Sequence, residues 1–110
     1  MKLKDLLKFI EIEDKRLRKY YGSYPDEEKR ILARTVKLTE ELGELCNDVL
    51  AHNSLQRKQK LDELDKENIQ EEFADVLITT LLLANVMSVD IEKALERKIE
   101  KINKRYDLGK

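Results

Sequence analysis

The stretch IQEEFADVLITTLLLANVM, Ile69 to Met87, decides how this chain is read. Its second half is nearly unbroken apolar sequence, yet Glu71, Glu72 and Asp75 stand at its entrance. Ile69, Phe73, Val76, Thr80, Leu83 and Met87 recur in alternating steps of four and three, the spacing of one face of a packed helix. A carboxylate at the edge of such a core is costly unless something compensates it. Beyond Val76 the segment is apolar on nearly every side. A small bundle buries one stripe per helix rather than a whole circumference. The chain is therefore expected to form a homo-oligomer, at least a homodimer.

An earlier stretch repeats the pattern. EELGEL, Glu40 to Leu45, and EEFADV, Glu71 to Val76, both read acid, acid, apolar, small, acid, apolar. At about 100° per residue, Glu41 lies about 40° and Glu44 about 100° to one side of Leu45. Glu72 and Asp75 take the same angles from Val76. Each helix thus carries its acids on the same shoulder of its apolar stripe. Antiparallel packing would turn the shoulders toward each other, and Gly43 and Ala74, at equivalent positions, permit close approach.

A lone pair of acids on a helix is ordinarily just solvated; two pairs in matched positions are a stronger signal. Four converging carboxylates repel one another by a few kcal/mol per pair at about 5 Å. They must protonate, splay apart, meet Lys or Arg, or bind a cation. Hard carboxylate oxygens without thiolate or imidazole suit Mg²⁺, with Mn²⁺ as a substitute. The sole histidine, His52, does not fall in an E-x-x-H arrangement, which disfavours a di-iron site. Lys37, one turn before Glu41, and Thr79, one turn past Asp75, lie beside the same shoulder.

Four helical segments account for most of the chain. The first runs from about Leu3 to Tyr21 and is broken by Gly22 and Pro25. The second starts near Pro25, with Asp26, Glu27 and Glu28 suited to a first turn, and fades at Ala51 to Ser54. Leu55 to Asn68 is polar and reads equally as a loose helix or a linker. The third runs from about Asn68 to Met87. Asp90 then caps a fourth that carries Ile91, Leu95, Ile99 and Ile102 and frays after Tyr106. The expectation is a single all-α domain over residues 1–110, a four-helix bundle-like protomer with its two acid-bearing helices antiparallel.

Composition narrows the function classes. The 110 residues make one domain. Lys and Arg number 22 against 23 Asp and Glu, with the signs interleaved, so no basic field exists to attract nucleic acid or an anionic membrane. The apolar run from Val76 is too short for a membrane span. The single cysteine, Cys46, cannot form an internal disulfide and fits a reducing compartment. Acids interrupt the apolar residues of the first helix, which makes a poor signal peptide. A soluble cytoplasmic protein is expected.

The pattern Glu41-x-x-Glu44 followed by Glu72-x-x-Asp75, with Glu40 completing an E-E-x-x-E form, resembles the MazG-like all-α nucleoside triphosphate pyrophosphohydrolases. The resemblance covers roughly Ile31 to Tyr106. It implies a helical core that dimerises, sometimes as a dimer of dimers. It implies Mg²⁺ bound by Glu41, Glu44, Glu72 and Asp75, and hydrolysis of an NTP or dNTP between the α and β phosphates to the monophosphate and pyrophosphate. Glu40 then stands as an outer catalytic base or a surface acid.

On the last helix Lys98, Lys101 and Arg105 resemble the family's basic motif as substrate contacts. The Asn often found four residues after the equivalent of Lys98 is Ile102 here, with Asn103 one place later. Asn85, polar within the apolar run, is a further candidate contact with the nucleotide, as are Lys37 and Thr79. Relatives often stack the base on an N-terminal aromatic; Phe9, Tyr20, Tyr21 and Tyr24 are the residues available. The alternatives are a non-catalytic nucleotide-sensing or dimerisation module on the same fold, and a phosphoribosyl-ATP pyrophosphohydrolase.

Overall fold

The computed structural model describes residues 1–20, 26–53 and 63–107. They form four helices, α1 (Leu3–Tyr20), α2 (Glu27–His52), α3 (Glu63–Val86) and α4 (Ile91–Asp107), and no strands among the described residues. Tyr21, Tyr24 and the first part of the polar stretch after Leu55 lie outside them. Within that stretch helix begins at Glu63, five residues before the sequence expectation.

The helix ends follow local chemistry. Asp26 caps α2 by accepting a 2.7 Å hydrogen bond from the Lys29 amide, and Glu27 and Glu28 face the positive end of the helix dipole. Asp90 caps α4 likewise, accepting from the Lys93 amide at 3.1 Å. Between α3 and α4 the Val89 amide donates to the Ala84 carbonyl at 2.9 Å and the Ser88 amide to the Asn85 carbonyl at 3.1 Å. This is a Schellman ending, and it holds Ser88 in the left-handed region at φ 57°. The chain bends by 113° from α3 into α4.

Helix α3 is the centre, packed against α2 on one side and α1 on another. The α2–α3 pair is antiparallel: Arg34, early in α2, bonds the carbonyl of Leu82, late in α3, while Asp48, late in α2, meets Glu72 in the first half of α3. Ile10, Leu45, Leu82 and Val86 form the buried apolar core. An ionic staple runs through it. Arg34 Nη1 lies 2.5 Å from Asp14 Oδ1 and donates to Leu82 O at 3.0 Å, and Arg18 holds the other Asp14 oxygen at 2.5 Å. Asp14 and Arg34 are both buried. One arginine thus ties α1, α2 and α3 together. Removing one partner of a buried pair strands the other charge, at a cost of about 3–5 kcal/mol.

Among the described residues the four helices do not close into a bundle. Helix α4 packs extensively against none of the other three. Leu95, Ile99 and Ile102 on α4 are exposed. Phe73 and Leu77 on α3 are also more than half exposed. The radius of gyration is 17.7 Å, against about 13 Å for a compact domain of this length.

Candidate functional site

The two acid motifs fall where α2 and α3 cross, toward the end of the pair opposite the Arg34 staple. Glu40, Glu41 and Glu44 are on α2; Glu72 and Asp75 are on α3. Glu41 is pulled toward the helix pair, its side chain 12% exposed, and Lys37 Nζ lies 3.1 Å from its Oε1. The same ammonium lies 3.8 Å from Glu40, which is exposed. The hydrogen bond from Lys37 to Glu41, with the charges of Glu41, Glu40 and Glu44, holds the ammonium protonated to higher pH than usual.

On the facing helix, Glu72 is half-buried, and its Oε2 is shut off from solvent with no hydrogen-bond partner. Its carboxyl group meets that of Asp48. Contact with Asp48, burial, and the charges of Asp48, Glu44 and Asp75 together push its pKa up to about 7. So Glu44, Asp48, Glu72 and Asp75 lie within electrostatic reach of one another, while Glu44 and Asp75 themselves are exposed. Among the described residues no three acid, histidine or cysteine side chains stand close enough together to hold a metal ion as placed. Glu41 is engaged by Lys37 and Glu72 by Asp48 instead.

Asp48 was not among the residues singled out from the sequence. Its signal was present: it lies one turn after Glu44 and falls about 60° from Leu45 on the acid shoulder. Its equivalent in the repeated pattern of α3 is Thr79. That threonine is buried at the shoulder, as its spacing predicts.

Asn85 lies about 15 Å along α3 from Asp75 by helical rise. There it borders a cavity of about 270 Å³ with Asp14, Arg18, Glu27, Arg30, Val86 and Ser88. Lys98, Lys101 and Arg105 are exposed on α4. Of the aromatic candidates, Phe9 is 37% exposed, and Tyr20 is largely exposed with Lys19 over its ring at 5.7 Å.

These acids fit a hard divalent cation in chemistry. Glu72 has a buried carboxylate oxygen without a hydrogen-bond partner, and the acids that act on it, Asp48, Glu44 and Asp75, are all oxygen donors. As placed they do not form a cage for an ion.

A family model described as the MazG nucleotide pyrophosphohydrolase domain matches residues 29–108. The chain belongs to that MazG family. The match begins at the first turns of α2 and ends just past α4, so it takes in both acid motifs and the basic face of α4. Among curated proteins the chain is similar to the uncharacterized protein YpjD of Bacillus subtilis (strain 168), 37% identical over 87 residues, which cover 79% of this chain and 77% of the relative. No solved structure matches. Among the described residues no single helix is long and apolar enough to cross a membrane.

Proposed function

We propose that the chain is a Mg²⁺-dependent pyrophosphohydrolase that cleaves a nucleoside or deoxynucleoside triphosphate between its α and β phosphates. The observation that carries this reading is the buried, donorless Glu72 Oε2 set among Asp48, Glu44 and Asp75 where α2 and α3 cross. Membership of a pyrophosphohydrolase domain family gives the reaction class.

In this reading Glu41, Glu44, Glu72 and Asp75 hold Mg²⁺, with Mn²⁺ as a substitute. The bound ion supplies charge neutralisation of the triphosphate and a lowered pKa for water. The chain's own residues do the rest. Glu72 would have to be deprotonated to hold the ion through both oxygens. Lys37 leaves Glu41 and turns to a phosphate oxygen, where its fixed charge strengthens as water is excluded. Glu40, exposed beside Lys37, accepts the proton of the attacking water. Water adds across the α–β anhydride, giving the monophosphate, pyrophosphate and one proton.

The same reading includes a homodimer. Phe73 and Leu77 on α3 and Ile99 on α4 are more than half exposed, apolar surface of the kind a partner would cover. A second copy would cover Phe73, Leu77 and Ile99, and it gives the α4 cations Lys98, Lys101 and Arg105 a place near an acid site.

The deciding experiment is a panel of NTPs and dNTPs with Mg²⁺, read by pyrophosphate release and product identity. Monophosphate and pyrophosphate from at least one nucleotide, lost with a chelator, is the expected result. Release of orthophosphate in place of pyrophosphate would overturn the assigned bond.

A further inference from the structure

Helix α2 carries a second regular stripe, turned away from the core. Leu32, Val36, Thr39, Gly43, Cys46 and Leu50 recur in alternating steps of four and three, the seam spacing of two helices that lie along each other at about 20°. The stripe is centred about 140° round the helix from Leu45 and about 160° from Arg34, the buried residues of α2. All six positions are exposed, with Leu32 at 59%, Val36 at 58% and Leu50 at 72%. None is charged, although 41% of the chain's residues are. The Thr39 hydroxyl donates to the Thr35 carbonyl at 3.1 Å, so its polar need is met inside the helix.

Gly43 is the second observation. A glycine inside a helix weakens it relative to alanine. The sequence gave this one a close approach to α3, but a Cβ at Gly43 would meet no neighbouring atom within 4 Å. Among the described residues nothing needs the missing side chain.

The stripe also reads alike in both directions. Its steps are symmetric, four, three, four, three, four, with a leucine at each end and the small Thr39 and Gly43 in the middle. A surface that pairs with itself about a two-fold axis needs that symmetry; a surface for an unrelated partner does not.

We propose that this face pairs with the same face of a second copy, α2 running antiparallel to α2. Leu32 of one chain then meets Leu50 of the other, Val36 meets Cys46, and Thr39 meets Gly43, each pair occurring twice. The small central layer lets the two backbones approach, and the leucines close the ends without burying a charge. This pairing uses α2, whereas the homodimer of the proposed function uses α3 and α4, and it rests on nothing in the metal reading.

The test is disulfide trapping in the full chain with copper phenanthroline, read by non-reducing electrophoresis. Val36→Cys puts a thiol opposite the native Cys46 of the second copy, so the majority of chains should be linked as dimers. Positions 36 and 46 of one helix lie about 15 Å apart by rise, as do the two Cys46 residues along the paired helices. Neither a link within the chain nor a link in the unaltered protein is therefore expected. Val36→Cys/Cys46→Ser should lose the link, and Leu32→Cys/Leu50→Cys/Cys46→Ser should restore it at the ends of the stripe. Val36→Glu should weaken self-association at least about tenfold by sedimentation, since it puts a charge in an apolar layer. No link in Val36→Cys, while the unaltered protein still associates, overturns the α2 pairing and leaves the other homodimer standing. A link that survives Cys46→Ser means Val36 meets itself, and it overturns the antiparallel register. A monomeric unaltered protein overturns both pairings.

Discussion

The ammonium of Lys37 lies 3.1 Å from Glu41 Oε1, so the chain carries its own cation against the half-buried acid of its first motif. Any divalent ion that uses Glu41 competes with that lysine. Lys37→Met keeps the aliphatic stem and removes the charge. It is expected to tighten Mg²⁺ binding in the absence of nucleotide. It is also expected to lower kcat/KM by about 10- to 100-fold, the worth of one charge-assisted hydrogen bond to phosphate. Calorimetry with Mg²⁺ and steady-state kinetics read the two effects separately. Weakening of both would return Lys37 to a structural role.

Glu41→Gln and Asp75→Asn keep shape and remove charge from α2 and α3 in turn. Each is expected to lower turnover by at least about 100-fold, the scale of losing a group that stabilises transition-state charge. Asp75 is exposed, so its substitution should leave the melting temperature nearly unchanged. Retained turnover in both variants would sink the assigned site.

Glu72 carries the pH prediction. Its pKa is raised from the ordinary carboxylate range to about 7, foremost by Asp48. Between about pH 4.5 and 7 the folded chain then holds a proton that the unfolded chain releases. Stability without metal should therefore fall as pH rises through that window. A cation must displace the same proton, so apparent Mg²⁺ affinity should rise with pH and level off above about 7. Glu72→Gln should flatten both dependences. Melting curves and Mg²⁺ titrations at several pH values check the sign; stability that rises with pH in this window contradicts it.

The staple at the other end of the helix pair gives a purely structural prediction. Asp14→Ala leaves Arg34 buried without its carboxylate, at a cost of about 3–5 kcal/mol. Replacing both residues with leucine should cost less than Asp14→Ala alone, because no charge is stranded. Urea denaturation of the single and double variants measures the difference.

Ile99 is 55% exposed in the middle of α4. If a second copy covers that helix, Ile99→Glu should push the protein toward monomer, which light scattering reads directly. A monomeric unaltered protein would remove the dimer from the proposed function.

The helices themselves were legible because their apolar positions keep helical period, acids from Asp26 to Glu28 mark one first turn and Asp90 caps another helix. The antiparallel acid shoulders were legible for the same reason, since EELGEL and EEFADV fix the angle of each acid. Asp14 and Arg34 were harder. Asp14 lies on the apolar stripe of the first helix, between Ile10 and Leu17, but nothing in its own neighbourhood names a partner in another helix. Asp48 was overlooked because the repeated pattern ends before it, and its meaning depends on which α3 residue it meets. The failure of α4 to join a bundle was also hidden. Periodicity tells that Leu95, Ile99 and Ile102 share a face, not whether that face is covered within the chain or by another copy.

Ser88, with its left-handed backbone, has a consequence for assembly. The turn from which α4 departs is held by two amide hydrogen bonds and one residue's left-handed dihedral angle. The last helix is thus a limb aimed before a partner arrives. If two chains pair through α4 as proposed, a helix held at a fixed turn leaves less ordering entropy to oppose their union.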